Sequence, residues 1–237
     1  MLRIKITAPQ AGVDYRYIDS IHGALVNGLT AAGLSGEDLV GRSARPWTFA
    51  CGGFARPGGW MTTKRITVST PDDAVAEAMR KLNPRNLVKQ SSNGDTIDLS
   101  SARIGIEHRG LAPGQSEACI AFASRFAIIA KKSHPKEKTR FVQSPSETNF
   151  AQALKRSLDR RAGRELDLMV SIDSLTLMTE ANVRMMSLRK SGHRRIMIPA
   201  FNMPITLRGN EDDLAWAFHA GMGAKANLGF GCPILRN

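Results

Sequence analysis

The chain has 237 residues, of which 42% are hydrophobic, so it can bury one large or two small cores and is not a disordered protein. Its 33 Lys and Arg against 21 Asp and Glu give a net charge of +12, which favours a polyanionic partner without saying which one. Three distant cysteines exclude a disulfide framework and a C-x-x-C metal site, and the N-terminus lacks a signal-peptide core. We therefore expect a reduced, cytoplasmic, globular protein.

The first half of the chain is typical of the order β-α-β-β-α-β. Apolar residues alternate in the predicted strands and recur every three to four positions in the predicted helices. These elements are a strand at 2–6, a helix at 15–33, strands at 47–54 and 61–69, a helix at 70–82 and a strand at 102–106. Thr70 is expected to cap the second helix, with Pro71 at its first position.

The second half repeats this order. Its predicted elements are a buried strand at 119–129, a helix at 146–161, a strand at 166–172, strand-like segments at 195–198 and 203–207, and a last helix from 210. Ser144 and Glu147 are expected to form the capping box of the first of these helices, and Asn210 to cap the last. The pattern predicts an α+β fold of two tandem ferredoxin-like domains, residues 1–112 and 113–237.

Four glycines surround a single lysine in the segment GMGAKANLGFG at residues 221–231, directly after the last predicted helix. Glycines let backbone N–H groups approach a ligand closely, and phosphate is the usual ligand. A Rossmann site is excluded because a helix precedes the loop and few residues follow, and the Walker form is absent. A plain glycine-rich turn between the last helix and a last strand stays open at this point.

The loop resembles the motif G-hydrophobic-G-x-K-x-x-x-G-F-G that ends the CRISPR-associated repeat-processing endoribonucleases of the RAMP superfamily. Residues 47–49, 150–158 and 207–209 are also similar to segments of that family, in the same order. The resemblance covers nearly the whole chain and implies two RRM-like domains. It also implies a metal-independent endoribonuclease without cofactors, which binds the repeat hairpin of precursor CRISPR RNA, cleaves it to mature CRISPR RNA and retains the product. Other subunits of a CRISPR effector complex are implied partners, and a membrane is not.

The implied chemistry is attack by the RNA 2′-OH on the adjacent phosphate, which yields a 2′,3′-cyclic phosphate and a 5′-OH. Such a reaction needs a proton acceptor, a group that stabilises the charged phosphorane and a proton donor to the leaving oxygen. Some family members place a histidine at the position of His22, and others place one before the second strand. Here that second segment carries Arg42 and Arg45 instead, which resembles divergent members such as those of type IV systems. We expect His22, Arg42 and Arg45 to be the catalytic residues.

The RNA contacts are expected in the glycine-rich loop and in the basic segment that precedes it. Residues 131–195 carry fifteen Lys and Arg against seven Asp and Glu, and the helix at 146–161 is expected to turn its cations outward. The expected RNA-binding residues are Gly221, Gly223, Lys225, Asn227, Gly229, Gly231, Lys155, Arg156, Arg160, Arg161, Lys190, His193, Arg194 and Arg195. With 6% aromatic residues, recognition of hairpin shape and backbone is favoured over base stacking.

Two other functions stay open from the sequence. One is a catalytically weak or inactive CRISPR RNA-binding subunit of an effector complex, which binds the repeat without cutting it. The other is a general RNA-binding protein unrelated to CRISPR.

Overall fold

Two antiparallel β-sheets, one of five strands and one of four, organise the chain. The computed structural model describes residues 1–41, 43–90, 96–108, 110–130, 134, 139–178, 183–192 and 194–236. Among the described helices, none is both long and apolar enough to cross a membrane.

The first sheet is built around strand β4, which pairs with β1, β2 and β3, while β1 also pairs with β7. The elements of this half are β1 (Leu2–Thr7), β2 (Val13–Tyr15), α1 (Ile18–Ala31), α2 (Gly36–Leu39), β3 (Thr48–Arg56), β4 (Trp60–Thr70), α3 (Asp73–Arg80), β5 (Val88–Gln90), β6 (Thr96–Asp98) and β7 (Arg103–Ile106). Ile4 and Ile6 face Val68 and Ile66 in the register of β1 and β4, and all four are buried. The alternation therefore places the core on one face, where α1 packs through Ile21 and its neighbours on the apolar stripe.

The second sheet has the order β13-β8-β12-β9. The elements of this half are β8 (Glu117–Phe122), α4 (Phe150–Ala162), β9 (Leu168–Ser171), α5 (Ser174–Met178), β10 (Val183–Ser191), β11 (Arg194–Phe201), β12 (Ile205–Gly209), α6 (Glu211–Ala220) and β13 (Pro233–Leu235). Asn210 caps α6 as predicted, since its side chain accepts a hydrogen bond from the Asp213 N–H. The predicted boundary after residue 112 falls in the connection between β7 and β8 and stays a prediction.

Two predicted helix starts are wrong. Thr70 is the last residue of β4 and pairs with Leu2, so the cap of α3 is Asp72, which accepts from the Val75 N–H. The Ser144–Glu147 capping box forms, but it closes one isolated 3₁₀ turn. Because Thr148 is extended, α4 begins only after Asn149, which caps it.

The predicted strand at 119–129 is interrupted. Strand β8 ends at Phe122, and the chain then turns at Ser124, whose hydroxyl donates to the Phe49 carbonyl and accepts from the Cys232 N–H. Beyond it only isolated bridges form, among them Ala127 with Ala224. The chain thus leaves the sheet to contact the glycine-rich loop.

The strand β10 was not predicted because charged residues interrupt its alternation. It pairs with β11 to form a hairpin that projects from the second half. Leu188, Ile198 and Ala200 of this hairpin are buried in the core of the first half, where β10 also contacts α1. The hairpin therefore fastens the second half to the first helix of the chain.

Candidate nucleic-acid interface

The glycine-rich loop, residues 221–231, lies between the two halves and is largely buried. The Thr48 hydroxyl of β3 reaches it from the first half and lies 3.1 Å from the Ala226 carbonyl oxygen and 3.3 Å from that of Phe230. From the second half, the Ala127 carbonyl accepts a hydrogen bond from the Ala224 N–H. The loop is thus held by both halves at once.

Close packing explains why glycine occupies the buried positions of this loop. Gly229 has a φ of 84°, and a Cβ built there would lie 2.7 Å from Cζ of Phe49. Gly231 has a φ of 63°, and its Cβ would lie 1.9 Å from the Met222 carbonyl oxygen. Both the left-handed backbone and the lack of space require glycine at these positions.

Several N–H groups of the loop are already used inside the protein. Met222 donates to the Gly231 carbonyl and Gly231 to the Arg125 carbonyl, and Cys232, directly after the loop, donates to the Ser124 hydroxyl. The loop therefore presents a shorter row of available amides than the glycine content suggests. Lys225 is its exposed cation.

His22 lies on α1 and is only 5% exposed. Its ring is stacked on Trp47, with 5.6 Å between centroids, and Trp47 is itself fully buried. Within the described residues Nε2 has no hydrogen-bond partner, and Nδ1 lies 3.9 Å from Oδ1 of Asp19. Burial lowers the pKa of His22 to about 4, against the opposite effect of the Asp19 carboxylate. The imidazole is therefore neutral at pH 7, and it is covered.

Arg45 is held by two carboxylates. Its Nε lies 2.8 Å from Oδ1 of Asp38 at the end of α2, and its Nη1 lies 3.1 Å from Oδ2 of Asp72, the cap of α3. The guanidinium thus anchors the segment before β3 to both neighbouring helices. Arg42, the other arginine of this segment, lies outside the described residues.

The carbonyl of Leu39 is where α1, the segment before β3 and the loop come together. It accepts a hydrogen bond from Nε1 of Trp47 at 3.2 Å and from Nδ2 of Asn227 at 3.3 Å. Because Trp47 also stacks on His22, the structure brings the predicted catalytic histidine and the loop to one place.

The cations of α4 divide into three environments. Lys155 is paired with Asp159 at 2.8 Å, whereas Arg156 and Arg160 are exposed. Arg161 is half-buried and not turned outward as predicted, because it lies on the same face of the helix as the buried Leu154 and Leu158.

Arg161 joins the two halves. Its Nη2 lies 2.8 Å from the Ala220 carbonyl oxygen at the end of α6 and 3.3 Å from that of Trp47 in the first half. Burial lowers the pKa of Arg161 to about 10, so its charge persists at pH 7. Both acceptors are backbone carbonyls, and the Ala220 carbonyl lies at the negative end of a helix dipole.

The tip of the β10–β11 hairpin is a cationic surface. Lys190 pairs with Arg195 and Ser191 with Arg194 in its register, and all four residues are exposed. In the part of the chain that the structure describes, none of these three cations has an acidic partner within 4.0 Å. His193, also predicted to contact RNA, lies outside the described residues.

Sequence reasoning missed Arg3, which alternates with the core residues of β1. It is only 3% exposed, its Nε lies 3.0 Å from Oε2 of Glu107, and its Nη2 lies 2.7 Å from the Pro233 carbonyl oxygen in β13. It also lines a cavity of about 590 Å³ between the halves, together with Arg65 and His108. Alternation on an otherwise polar strand face was the signal that could have identified it.

Comparison with known proteins is consistent across the chain. The model of the family "CRISPR associated protein Cas6, C-terminal" matches residues 115–233, about half of the chain. No curated protein matches it.

Solved structures match over the full length. A RAMP protein that binds different RNA substrates has a TM-score of 0.68 at 15% identity, with both chains fully covered. A Cas6-related protein of Pyrococcus furiosus has a TM-score of 0.68 at 14% identity, and the match covers 100% of this chain and 98% of that chain. The product complex of a Thermus thermophilus Cas6 has a TM-score of 0.58 at 18% identity, and the match covers 99% of this chain and 98% of that chain. These matches confirm the predicted tandem ferredoxin-like fold, and the chain belongs to the Cas6 family of CRISPR-associated proteins.

Proposed function

We propose that this protein binds the repeat hairpin of precursor CRISPR RNA, cleaves it without a metal ion and keeps hold of the product. The observation that carries this proposal is the exposed cationic tip of the β10–β11 hairpin, since β10 packs against α1, the helix that carries the buried His22. We expect a nucleic acid held by the tip to extend along α1 towards His22 and the loop. Its solved relatives include a Cas6 with bound product.

The RNA track runs along exposed cations. Arg156 and Arg160 of α4, Lys225 of the loop, and Arg194 and Arg195 of the hairpin are exposed. Helix α4, the loop and the hairpin each contact the first half. Binding that rests on phosphate contacts weakens steeply with salt, since each neutralised phosphate releases counterions. We expect a linear fall of log affinity with log salt concentration, with a slope that flattens when tip cations are neutralised.

The cleavage chemistry needs a base near the 2′-OH. Neutral imidazole is the form of histidine that accepts a proton, and Nε2 of His22 has no hydrogen-bond partner among the described residues. The ring must first be uncovered, so RNA binding has to shift Trp47 or change the His22 rotamer. Arg45 has to exchange Asp38 or Asp72 for a phosphate before it can stabilise the phosphorane, and Arg42 has the same chemistry.

The test is incubation of the purified protein with the repeat RNA of its own host in EDTA, followed by mass analysis of the ends. We expect a 2′,3′-cyclic phosphate and a 5′-OH, and no cleavage of RNA with a 2′-deoxy nucleotide at the cut site. Cleavage that depends on a divalent metal contradicts the mechanism. Product retention is read from the cleaved fragment that coelutes with the protein.

Two pairs of variants assign the catalytic residues. His22→Phe keeps a ring that can stack on Trp47 but removes the base, and His108→Gln alters an exposed histidine as its control. Arg45→Gln is matched by Arg56→Gln, because Arg56 is also paired with an aspartate but lies exposed on β3. We expect loss of cleavage in the first member of each pair only, with repeat binding retained.

A second function is favoured by the cover over His22 and the two ion pairs of Arg45. In that case the protein binds CRISPR RNA as a non-cleaving subunit of an effector complex. Salt-sensitive repeat binding without any cleavage, unchanged in His22→Phe, supports this alternative. Equal affinity for an unrelated hairpin would instead indicate a general RNA-binding protein.

A further inference from the structure

A second cavity, of about 570 Å³, lies between α4 and the glycine-rich loop. Helix α4 contributes Arg156, Ser157 and Arg160 to its wall, and the loop contributes Gly223 and Ala224. Its volume lies in the range of pockets that hold small organic ligands. It is separate from the surroundings of His22, because Trp47 and Asp19, which lie beside the His22 ring, do not line this cavity.

Two buried residues on this wall each have a polar group without a hydrogen-bond partner in the part of the chain that the structure describes. Ser157 is only 8% exposed, and its Oγ has no hydrogen-bond partner in the described structure. The Gly223 N–H likewise donates to no acceptor in the described parts of the chain, although its neighbours Met222 and Ala224 both do. Buried donors are almost always satisfied, so two of them on one cavity wall indicate a ligand that accepts hydrogen bonds.

The charged residues that line the cavity favour an anionic ligand. Arg160 is exposed and has no acidic partner within the described residues, and Arg156 donates only to the neutral Oε1 of Gln152 at 3.0 Å. Asp159 also lines the cavity, but its oxygens already accept from Nζ of Lys155 and from the Leu166 N–H. A phosphate fits this set of hydroxyl, amide and guanidinium donors.

The remaining wall is apolar except for Thr139. Ala127, Ile128, Ile129 and Ala153 face the same cavity. Phosphate alone does not use such a surface, whereas a ribose or a nucleobase does. A paired base is stacked inside its helix and cannot enter, but an unpaired one can.

We propose that this cavity binds one unpaired nucleotide of the RNA, with its phosphate on Ser157, Arg160 and the Gly223 N–H and its base or ribose against the Ala127–Ile129 wall. The proposal rests on the proposed function, and it adds a subsite that reads the single-stranded flank beside the hairpin. The double variant Ser157→Ala, Arg160→Gln removes two of the phosphate contacts. It breaks no hydrogen bond known among the described residues, so it is expected to fold normally.

The test compares the host's repeat hairpin with and without its single-stranded flanks. The wild type is expected to bind the flanked RNA more tightly by about tenfold or more, the effect of one charge-assisted hydrogen bond. The double variant should lose this preference, so that its affinities for the flanked RNA and the blunt hairpin become equal. Arg208→Gln is the control, because it removes one exposed arginine of the second half from β12 rather than from α4.

A 4-thiouridine placed at successive unpaired positions of the flank gives an independent readout. Crosslinks to residues 127–130 or 153–160 at one position are expected. A double variant that keeps the full preference, or crosslinks that never reach these segments, overturns the proposal while hairpin binding leaves the proposed function standing. A wild type that binds neither RNA overturns both.

Discussion

Gly229→Ala tests whether the loop glycines serve packing. A Cβ at this position would lie 2.7 and 2.8 Å from two ring atoms of Phe49 and 3.0 Å from Cγ1 of Ile18. All three atoms belong to buried side chains that cannot move away freely. Overpacking of this kind costs about 1–3 kcal/mol. The positive φ adds about 1 kcal/mol, so we expect a loss of about 2–4 kcal/mol in the free energy of unfolding.

Gly163→Ala is the matched control. Gly163 has a φ of 69° at the end of α4, and a Cβ there would meet nothing within 4 Å. It should cost only the backbone term of about 1 kcal/mol. The difference between the two variants isolates the cost of packing.

The assay is urea unfolding at pH 7, followed by circular dichroism, together with repeat-RNA binding at a temperature where both variants are folded. Equal losses of stability in the two variants would refute the packing argument. A Gly229→Ala variant with normal stability but weakened RNA binding would indicate that this glycine serves RNA contact rather than packing.

Three further predictions concern buried polar groups. Burial lowers the pKa values of His22 and His219 to about 4 from 6.5, so the folded chain binds fewer protons than the unfolded chain between these pH values. Stability should be full above pH 6.5 and fall as the pH drops towards 4, by up to about 3 kcal/mol for His22, and urea titrations of His22→Phe should show a shallower fall. Arg161→Met leaves two carbonyls without their donor and should lower the free energy of unfolding by about 2–3 kcal/mol. The control Arg160→Gln changes an exposed neighbour and should change the free energy of unfolding by no more than about 0.5 kcal/mol. Equal melting temperatures of the two variants would contradict this prediction. Thr48→Val keeps the shape of a fully buried side chain but removes the hydroxyl that reaches the loop, and calorimetry should show a loss of about 1–3 kcal/mol.

The repeated order of elements could be predicted because each strand and helix buries one side. Ile4 and Ile6 alternate in β1, and Ile21 and Leu25 fall on one face of α1, so local periodicity was sufficient to predict these two elements. The cap of α3 was missed because Thr70 is committed to pairing with Leu2, a contact that the local sequence does not reveal. Strand β10 was missed because charged residues interrupt its alternation, and its one buried residue, Leu188, packs in the other half of the molecule.

The candidate site was less predictable, since its residues are defined by distant contacts. The sequence identifies His22 as a histidine beside an apolar stripe, but not that Trp47 covers it. It identifies Arg161 as one cation among several, although the guanidinium is bound to carbonyls 59 and 114 residues away. Residue type and spacing indicate which chemistry is present, whereas exposure and pairing decide which side chains are available for it.

The position of the glycine-rich loop also has a consequence for the order of assembly. Thr48 bonds to carbonyls 178 and 182 residues further along the chain, and β13 completes the second sheet beside β8. During translation, β3 therefore leaves the ribosome long before the segment that seals it. If the first half folds as it emerges, its Thr48 hydroxyl stays without the loop carbonyls until residues 221–235 emerge, so the junction between the halves is then the last part of the molecule to close.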